Sequence, residues 1–329
     1  MIKMDKLFDY KDVRLIPKKC IVDSRTECDT SVRLGSRVFD MPIYPANMKS
    51  VVNLETCKFF AKHNWFYTMH RFGIDPVSFI IEMNKENLFT SISIGINKDS
   101  YDDLERIYQE PLTIDYITID VANAWSEKTH QMIDFIKEKF PKTFLIVGNV
   151  ATPEAVKNLI KWGARACKIG IGSGSVCLTY LKTGVGTYGY QLSCVKLCAE
   201  KVGTIPIIAD GGIVEHGDIA KAICCGATMV MAGSLFAGYD QSAGSIVEIE
   251  DTMYKEYYGS ASKHNKDEIK NIEGKKILIK YRGDMDRLLQ ELKEDLQSSI
   301  SYIGGKSLED LRNASFVRVT QQENTIFGD

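Results

Sequence analysis

The sequence predicts an α/β chain folded as a (β/α)8, or TIM, barrel, with an N-terminal extension and a long flap after the eighth strand. Three observations predict it. Short runs rich in Ile, Val, Phe and Tyr alternate with longer stretches of helical periodicity, which argues for a parallel sheet. Eight such units occupy about 260 of the 329 residues, the size of one closed barrel. Successive apolar runs end in polar or glycine-rich residues, as strands do where they deliver side chains to a barrel's active end. An open doubly wound sheet binding a dinucleotide would want Gly-x-Gly-x-x-Gly directly after its first strand. Here the first run ends Pro45-Ala-Asn-Met, with no glycine.

Residues 1–40 are irregular and charged, and read as an extension. Within it Val13-Arg-Leu-Ile and Val32–Phe39 predict a short hairpin that covers one end of the barrel. The barrel domain then spans 41–329. Its strand candidates are Met41–Asn47, Trp65–His70, Thr90–Ile96, Tyr116–Asn123, Phe144–Val150, Ala166–Gly172, Pro206–Ile213 and Met229–Phe236. Helices are expected at about 51–63, 75–87, 99–109, 126–140, 153–163, 189–202, 215–225 and 285–300. Thr152-Pro153-Glu154 marks one start clearly, with Thr as cap and Pro in the first turn. Between the last strand and the last helix, about 240–284 is too long for a plain connection and reads as a mobile flap on a two-stranded stem. It carries Ile249–Tyr258, the lysine-rich Lys263–Lys270, and Lys276–Tyr281.

Composition narrows the function classes. Hydrophobic content of 44% and charged content of 26% describe an ordinary soluble protein. A net charge of −2 gives no footprint for nucleic acid or an anionic membrane. No apolar stretch approaches a membrane span, and the N-terminus does not read as a secretory signal. Nine cysteines without framework spacing favour a reducing cytoplasm, and no Cys/His pattern supports structural zinc.

The chemistry-bearing stretch is Lys168-Ile-Gly-Ile-Gly-Ser-Gly-Ser-Val-Cys-Leu-Thr179. Gly170, Gly172 and Gly174 free the backbone to turn and to present amides to a phosphate, with Ser175 adding a hydroxyl, or carbonyls to a monovalent cation. Cys177 is a nucleophile candidate at the barrel mouth. Cys57, Cys167, Cys194, Cys198, Cys224 and Cys225 fall in strands or helices and read as small core residues. Asp210-Gly211-Gly212 and Gly233-Ser234 end strands seven and eight, where barrels commonly hold a phosphate. Asp210, itself an anion, suits a ribose diol better than a phosphate. Asp120 ends strand four and serves as a ligand acceptor or a plain turn residue. Glu273 is a flap carboxylate that closure would bring to the site; alone it reads as a solvated charge. His70 and His216 read as structural or solvent-facing.

Together these motifs resemble the IMP dehydrogenase / GMP reductase family. Gly170-Ile-Gly-Ser-Gly-Ser-Val-Cys-Leu-Thr is similar to that family's cysteine loop. Ala209-Asp-Gly-Gly-Ile and Ala232-Gly-Ser-Leu-Phe are similar to its phosphate loops, and Tyr257-Tyr-Gly-Ser-Ala-Ser to its post-barrel segment. The similarity runs in order from about residue 10 to the end. It lies closer to the reductase branch. His70-Arg-Phe-Gly-Ile-Asp-Pro leads directly into a helix, with no room for regulatory CBS modules, and no Arg-Tyr dipeptide occurs, the flap reading Ser262-Lys-His-Asn instead. Lys182–Leu192 and Leu296–Gly305 resemble the compact bacterial type. Two positions depart from the family pattern: Ser173 replaces a proline, and Lys49 an aspartate after Asn-Met.

The resemblance implies NADPH-dependent conversion of GMP to IMP and ammonia, in purine salvage, through a thioimidate on Cys177. Thr179 and Glu273 would then relay protons. Ser175, Gly211, Gly212, Gly233, Ser234 and Tyr257, with Gly259 and Ser260, would hold the nucleotide, and Asp210 its ribose. Asp120, Ala122 and Asn149 would face the nicotinamide. Backbone carbonyls of Gly172, Gly174 and Cys177 match the family's potassium position, and a homotetramer is the family's usual assembly. Two rivals are an IMP dehydrogenase without CBS modules and a non-catalytic purine-nucleotide-binding protein.

Overall fold

The computed structural model describes residues 7–262 and 272–319. The flap segment Lys263–Lys270, and with it the Lys-His-Asn after Ser262, lies outside the described residues.

The extension contains β1 (Val13–Leu15), β2 (Val32–Leu34) and β3 (Arg37–Phe39). β2 and β3 form an antiparallel hairpin by themselves, turning at Gly35, whose φ is +64°. The expected pairing of the Val13 stretch with this hairpin does not occur. The two halves of Val32–Phe39 are neighbours in sequence and satisfy each other, and β1 instead pairs antiparallel with the C-terminal strand Phe316–Arg318.

The hairpin seats on the barrel's N-terminal end. Leu34 and Phe39 are fully buried. The Phe39 ring lies 5.3 Å from both Phe66 and Phe89, and the Tyr116 hydroxyl donates to the Leu34 carbonyl at 2.7 Å. Arg37 pairs with Asp115 at 2.9 Å, beside the first residue of the next strand. Phe39→Ala is therefore expected to cost about 3–5 kcal/mol of stability. Denaturant titration should show a lower midpoint with an unchanged slope.

The main sheet holds β4 (Ile43–Pro45), β5 (Ser91–Ile94), β6 (Tyr116–Asp120), β7 (Phe144–Val150), β8 (Ala166–Ile169), β9 (Ile207–Asp210) and β10 (Met229–Ala232). These seven strands are parallel, in the order β4-β10-β9-β8-β7-β6-β5. The curled sheet has the α/β character of the expected barrel. The second expected strand, Trp65–His70, is buried in its place but, among the described residues, makes only one parallel bridge, Met69 to Ile92. A physical reason lies in β4. The Pro42 carbonyl and the Ala46 amide bond to β10, so the alternate residues face the second run, and among them Pro45 has no N–H to offer.

Helices occupy all eight expected intervals, from Leu54–Lys62 to Asp286–Tyr302. Asn53, Asp75, Asn97, Ser126 and Thr152 each cap one by accepting from an amide in the first turn. At the far end of Gly217–Cys224 the chain needs Gly226, at φ +97°, where a Cβ would stand 2.5 Å from Ala199 Cβ. Among the described residues no helix is long and apolar enough to cross a membrane. All nine cysteines are free.

After β10 come β11 (Ile246–Ile249), β12 (Thr252–Tyr258) and β13 (Lys276–Lys280), one antiparallel sheet of three strands rather than the expected stem of two. Ile246–Ile249 pairs back on Thr252–Lys255 through a two-residue turn, with Glu250 and Asp251 at φ 47° and 59°. Such turns favour Asn-Gly, and Glu-Asp hides this one in the sequence.

Candidate active site

Parallel strands put all their C-terminal ends on one side, and the polar strand ends meet there around a cavity of about 360 Å³. Asp120 reaches it from β6, Asn149 from β7, Gly170–Cys177 from the loop after β8, Asp210 and Gly211 from β9, and Gly233 after β10.

The cysteine loop is tied down on its inner side. Gly170 has φ +142°, and a Cβ there would stand 2.1 Å from the Asp210 carbonyl oxygen, so only glycine lets the two strand ends approach. That carbonyl accepts from the Ser173 hydroxyl at 2.8 Å and from the Gln191 amide at 3.2 Å. Ser173, which stands where the resembling family has proline, thus fastens the loop to β9 with a hydrogen bond that proline cannot make. The Cys177 amide donates to the Gly174 carbonyl at 3.0 Å, and a helical turn, Thr179–Thr183, follows at once.

The flap is stitched to the same loop from outside. Leu178 N donates to Glu273 O at 2.6 Å and Lys275 N to Val176 O at 2.9 Å, an antiparallel bridge centred on Cys177 and Gly274. This backbone pairing aims Glu273 inward. Its Oε2 accepts from the Thr179 hydroxyl at 2.5 Å, and Thr179 Oγ1 lies 3.2 Å from Cys177 Sγ. Since the threonine hydrogen is given to the carboxylate, what remains for the thiol is an oxygen lone pair. Thiol, hydroxyl and carboxylate form one line from the cavity into the flap.

Of the nucleotide-binding candidates, Asp210, Gly211, Gly233, Tyr257, Gly259 and Ser260 line the cavity. Gly233 is needed because a Cβ there would stand 2.1 Å from the Tyr257 hydroxyl. Burial pushes the Tyr257 phenol up to about 12, with the Ser175 hydrogen bond acting the other way, so it is a neutral donor at ordinary pH. Ser175, Gly212 and Ser234 stand outside the cavity wall. Ser175 touches the site through Tyr257, and Gly212 packs against Tyr10 of the extension, its Cβ position 3.0 Å from the ring. Gly172, Gly174, Cys177, Thr179 and Glu273 line the cavity, as do Asp120, Ala122 and Asn149.

Asn149 is oriented by two acceptors: its Nδ2 donates to Gly170 O at 2.6 Å and to Asp210 Oδ2 at 2.7 Å. Its Oδ1 is buried and has no partner among the described residues. An unpaired buried acceptor at a cavity wall suits a ligand amide.

Sequence reasoning gave no role to Lys168 or Arg71. Lys168 is 1% exposed, and its Nζ lies 3.0 Å from Asp120 Oδ1 and 3.0 Å from Asp210 Oδ2. Burial opposes its charge, but the two carboxylates outweigh burial and hold the amine protonated. Burial likewise works against the Asp120 carboxylate, yet Lys168 and then Arg71 keep it below its ordinary range. The signal for Lys168 was a lone charge in the otherwise apolar Ala-Cys-Lys-Ile. His70 is held neutral, pushed down to about 4 by burial and then by the charge of Lys49, and its Nδ1 accepts from Phe72 N.

A family model described as IMP dehydrogenase / GMP reductase domain matches residues 76–325. Curated relatives include a protein of Chromobacterium violaceum, 57% identical over 97% of this chain and 99% of its own, and one of Acidovorax, 52% identical over 95% and 96%. Another, from Oceanobacillus iheyensis, is 50% identical over 98% of both chains. All three are named GMP reductase.

Proposed function

The chain belongs to the IMP dehydrogenase / GMP reductase family, and on that premise we propose that it is an enzyme that converts GMP to IMP and ammonia at the expense of NADPH. The observation that carries this reading is the line Cys177 Sγ, Thr179 Oγ1, Glu273 Oε2 opening on one cavity.

In this reading the phosphate of GMP lies against Gly211, Gly233, Tyr257 and Ser260, with Ser175, Gly212 and Ser234 shaping the loops behind them, and Asp210 accepts from the ribose hydroxyls. Gly259 lets the flap backbone come close, its Cβ position 3.2 Å from the Val176 carbonyl. Cys177 sulfur bonds to purine C2, the bond from C2 to the amino nitrogen breaks, and the thiol proton passes by way of Thr179 and Glu273 to the departing nitrogen. Ammonia leaves and a thioimidate remains on Cys177. General acid help of this kind supplies typically ~10²–10⁴-fold. Replacing sulfur by hydride at C2 completes IMP and releases Cys177 as the thiolate, which takes a proton from solvent to restore the thiol. The nicotinamide cofactor, when bound, supplies the hydride for that replacement. Asp120, Ala122 and Asn149 would hold it, and the unpaired Asn149 Oδ1 suits its carboxamide. The segment 240–284 acts as a flap that keeps water from C2, where hydrolysis would give XMP.

The wider reading is a cytoplasmic homotetramer in purine salvage, consistent with nine unpaired cysteines. A potassium ion on the carbonyls of Gly172, Gly174 and Cys177 belongs to it as an accessory; the Gly174 carbonyl already accepts from Cys177 N and would be shared. The test is a paired assay. GMP with NADPH should change nicotinamide absorbance, and IMP with NAD should not; activity only with the second pair defeats the reading.

A further inference from the structure

We infer that Lys168 is a positioning residue that serves both ligands: one buried ammonium fixes the nucleotide-side carboxylate of Asp210 and the cofactor-side carboxylate of Asp120 together. This rests on the reading just given for the site.

Packing gives no reason for a lysine here. Ala166, Cys167 and Ile169, its neighbours on β8, are fully buried, and an ammonium taken out of water is costly unless paired. The ammonium is paired on every side: it donates to Asp120 Oδ1 at 3.0 Å and to Met231 Sδ at 3.7 Å, and it forms an ion pair with Asp210 Oδ2 at 3.0 Å. The neighbouring strand makes room for the stem, since a Cβ on Gly148 would stand 2.4 Å from Lys168 Cβ. Lys168 belongs to the cavity wall but is only 1% exposed, whereas both carboxylates beside it are 19% exposed and are the groups open to the ligands.

The arrangement sets which oxygen each ligand meets. Asp210 Oδ2 is taken by Lys168 and by Asn149 Nδ2 at 2.7 Å, which leaves Oδ1 for the ribose. Asp120 is fixed by the same cation on one side and lowered in pKa by it. Remove the ammonium, and two carboxylates that shared one point are left as like charges across a cavity; they must separate or one must take a proton. Separation moves an acceptor away from each ligand, and where one carboxylate takes a proton the other is still left without the cation that fixed it.

Steady-state kinetics on Lys168→Met test this. The Michaelis constants for GMP and for NADPH should both rise about tenfold or more, the scale of a hydrogen bond to a charged group. Asp210→Asn should raise mainly the GMP constant and Asp120→Asn mainly the NADPH constant. A Lys168→Met protein in which only one constant rises, or in which kcat falls with both unchanged, overturns the inference. Lys168→Gln repeats the measurement if Lys168→Met does not fold. If neither folds, the position serves the barrel core and the inference fails. Wild-type protein inactive on GMP defeats the activity reading and this inference with it; an active wild type confines any failure to Lys168.

Discussion

Cys177→Ala is expected to bind GMP like the unaltered chain and to turn it over roughly 10⁴-fold more slowly or worse. The physical basis is that no other group in the cavity wall can replace the sulfur. Thr179 Oγ1, the nearest alternative, is committed as a donor to Glu273. A loss of that size is about 5 kcal/mol of barrier. Binding should survive, because the contacts proposed for phosphate and ribose come from Asp210, Gly211, Gly233 and Tyr257, none of which changes. The loop should also survive, because its ties at this point are backbone ones: Cys177 N to Gly174 O, with Val176 and Leu178 bonded to the flap. Calorimetric titration with GMP and an assay of turnover check the two halves separately. Residual turnover within tenfold of wild type, roughly 1.4 kcal/mol, removes the covalent step from the account.

Glu273→Gln should lower kcat by roughly 10²–10⁴-fold and leave the Michaelis constant for GMP nearly unchanged. Glutamine still offers an oxygen to the Thr179 hydroxyl, so the 2.5 Å contact and the flap geometry have a substitute. What it lacks is a site that can take up a proton and return it to the leaving nitrogen. Thr179→Val interrupts the same line one atom earlier and should fall in the same range. The double variant should fall little further than either single one, since groups acting as a unit are not additive. Additive losses would mean that the two residues act apart, and a Glu273→Gln protein with wild-type kcat would show that the flap carboxylate moves no proton.

Much of this was legible in the chain because it is local. The alternation of apolar runs and capped helices reads directly, and Asn53, Asp75, Asn97, Ser126 and Thr152 all cap where such residues should. Three features were hidden, two by local chemistry and one by distance along the chain. Pro45 withholds an amide from the second run, a Glu-Asp turn disguises β11, and the Val13 stretch finds its partner about 300 residues away at Phe316. The site divides in the same way. The glycine loops and Cys177 stand out by composition. The contact from Thr179 to Glu273 spans 94 residues and the Lys168 pairs span 48 and 42, so no local pattern marks them. Glu273 was named as a flap carboxylate but took its proton-relay role only from the resemblance, and Lys168 was given no role. The burial of Lys168 among apolar strand neighbours is what gives its charge meaning, and burial is a property of the fold.

The central claim is that this cavity removes an amino group from GMP and replaces it with hydrogen. It is tested most directly by incubating the purified chain with GMP and NADPH and measuring oxidised cofactor, ammonia and nucleotide product together. The account predicts equal amounts of NADP⁺, ammonia and IMP, with none formed by Cys177→Ala. Ammonia released with XMP and without cofactor oxidation, or no consumption of GMP at all, would contradict it.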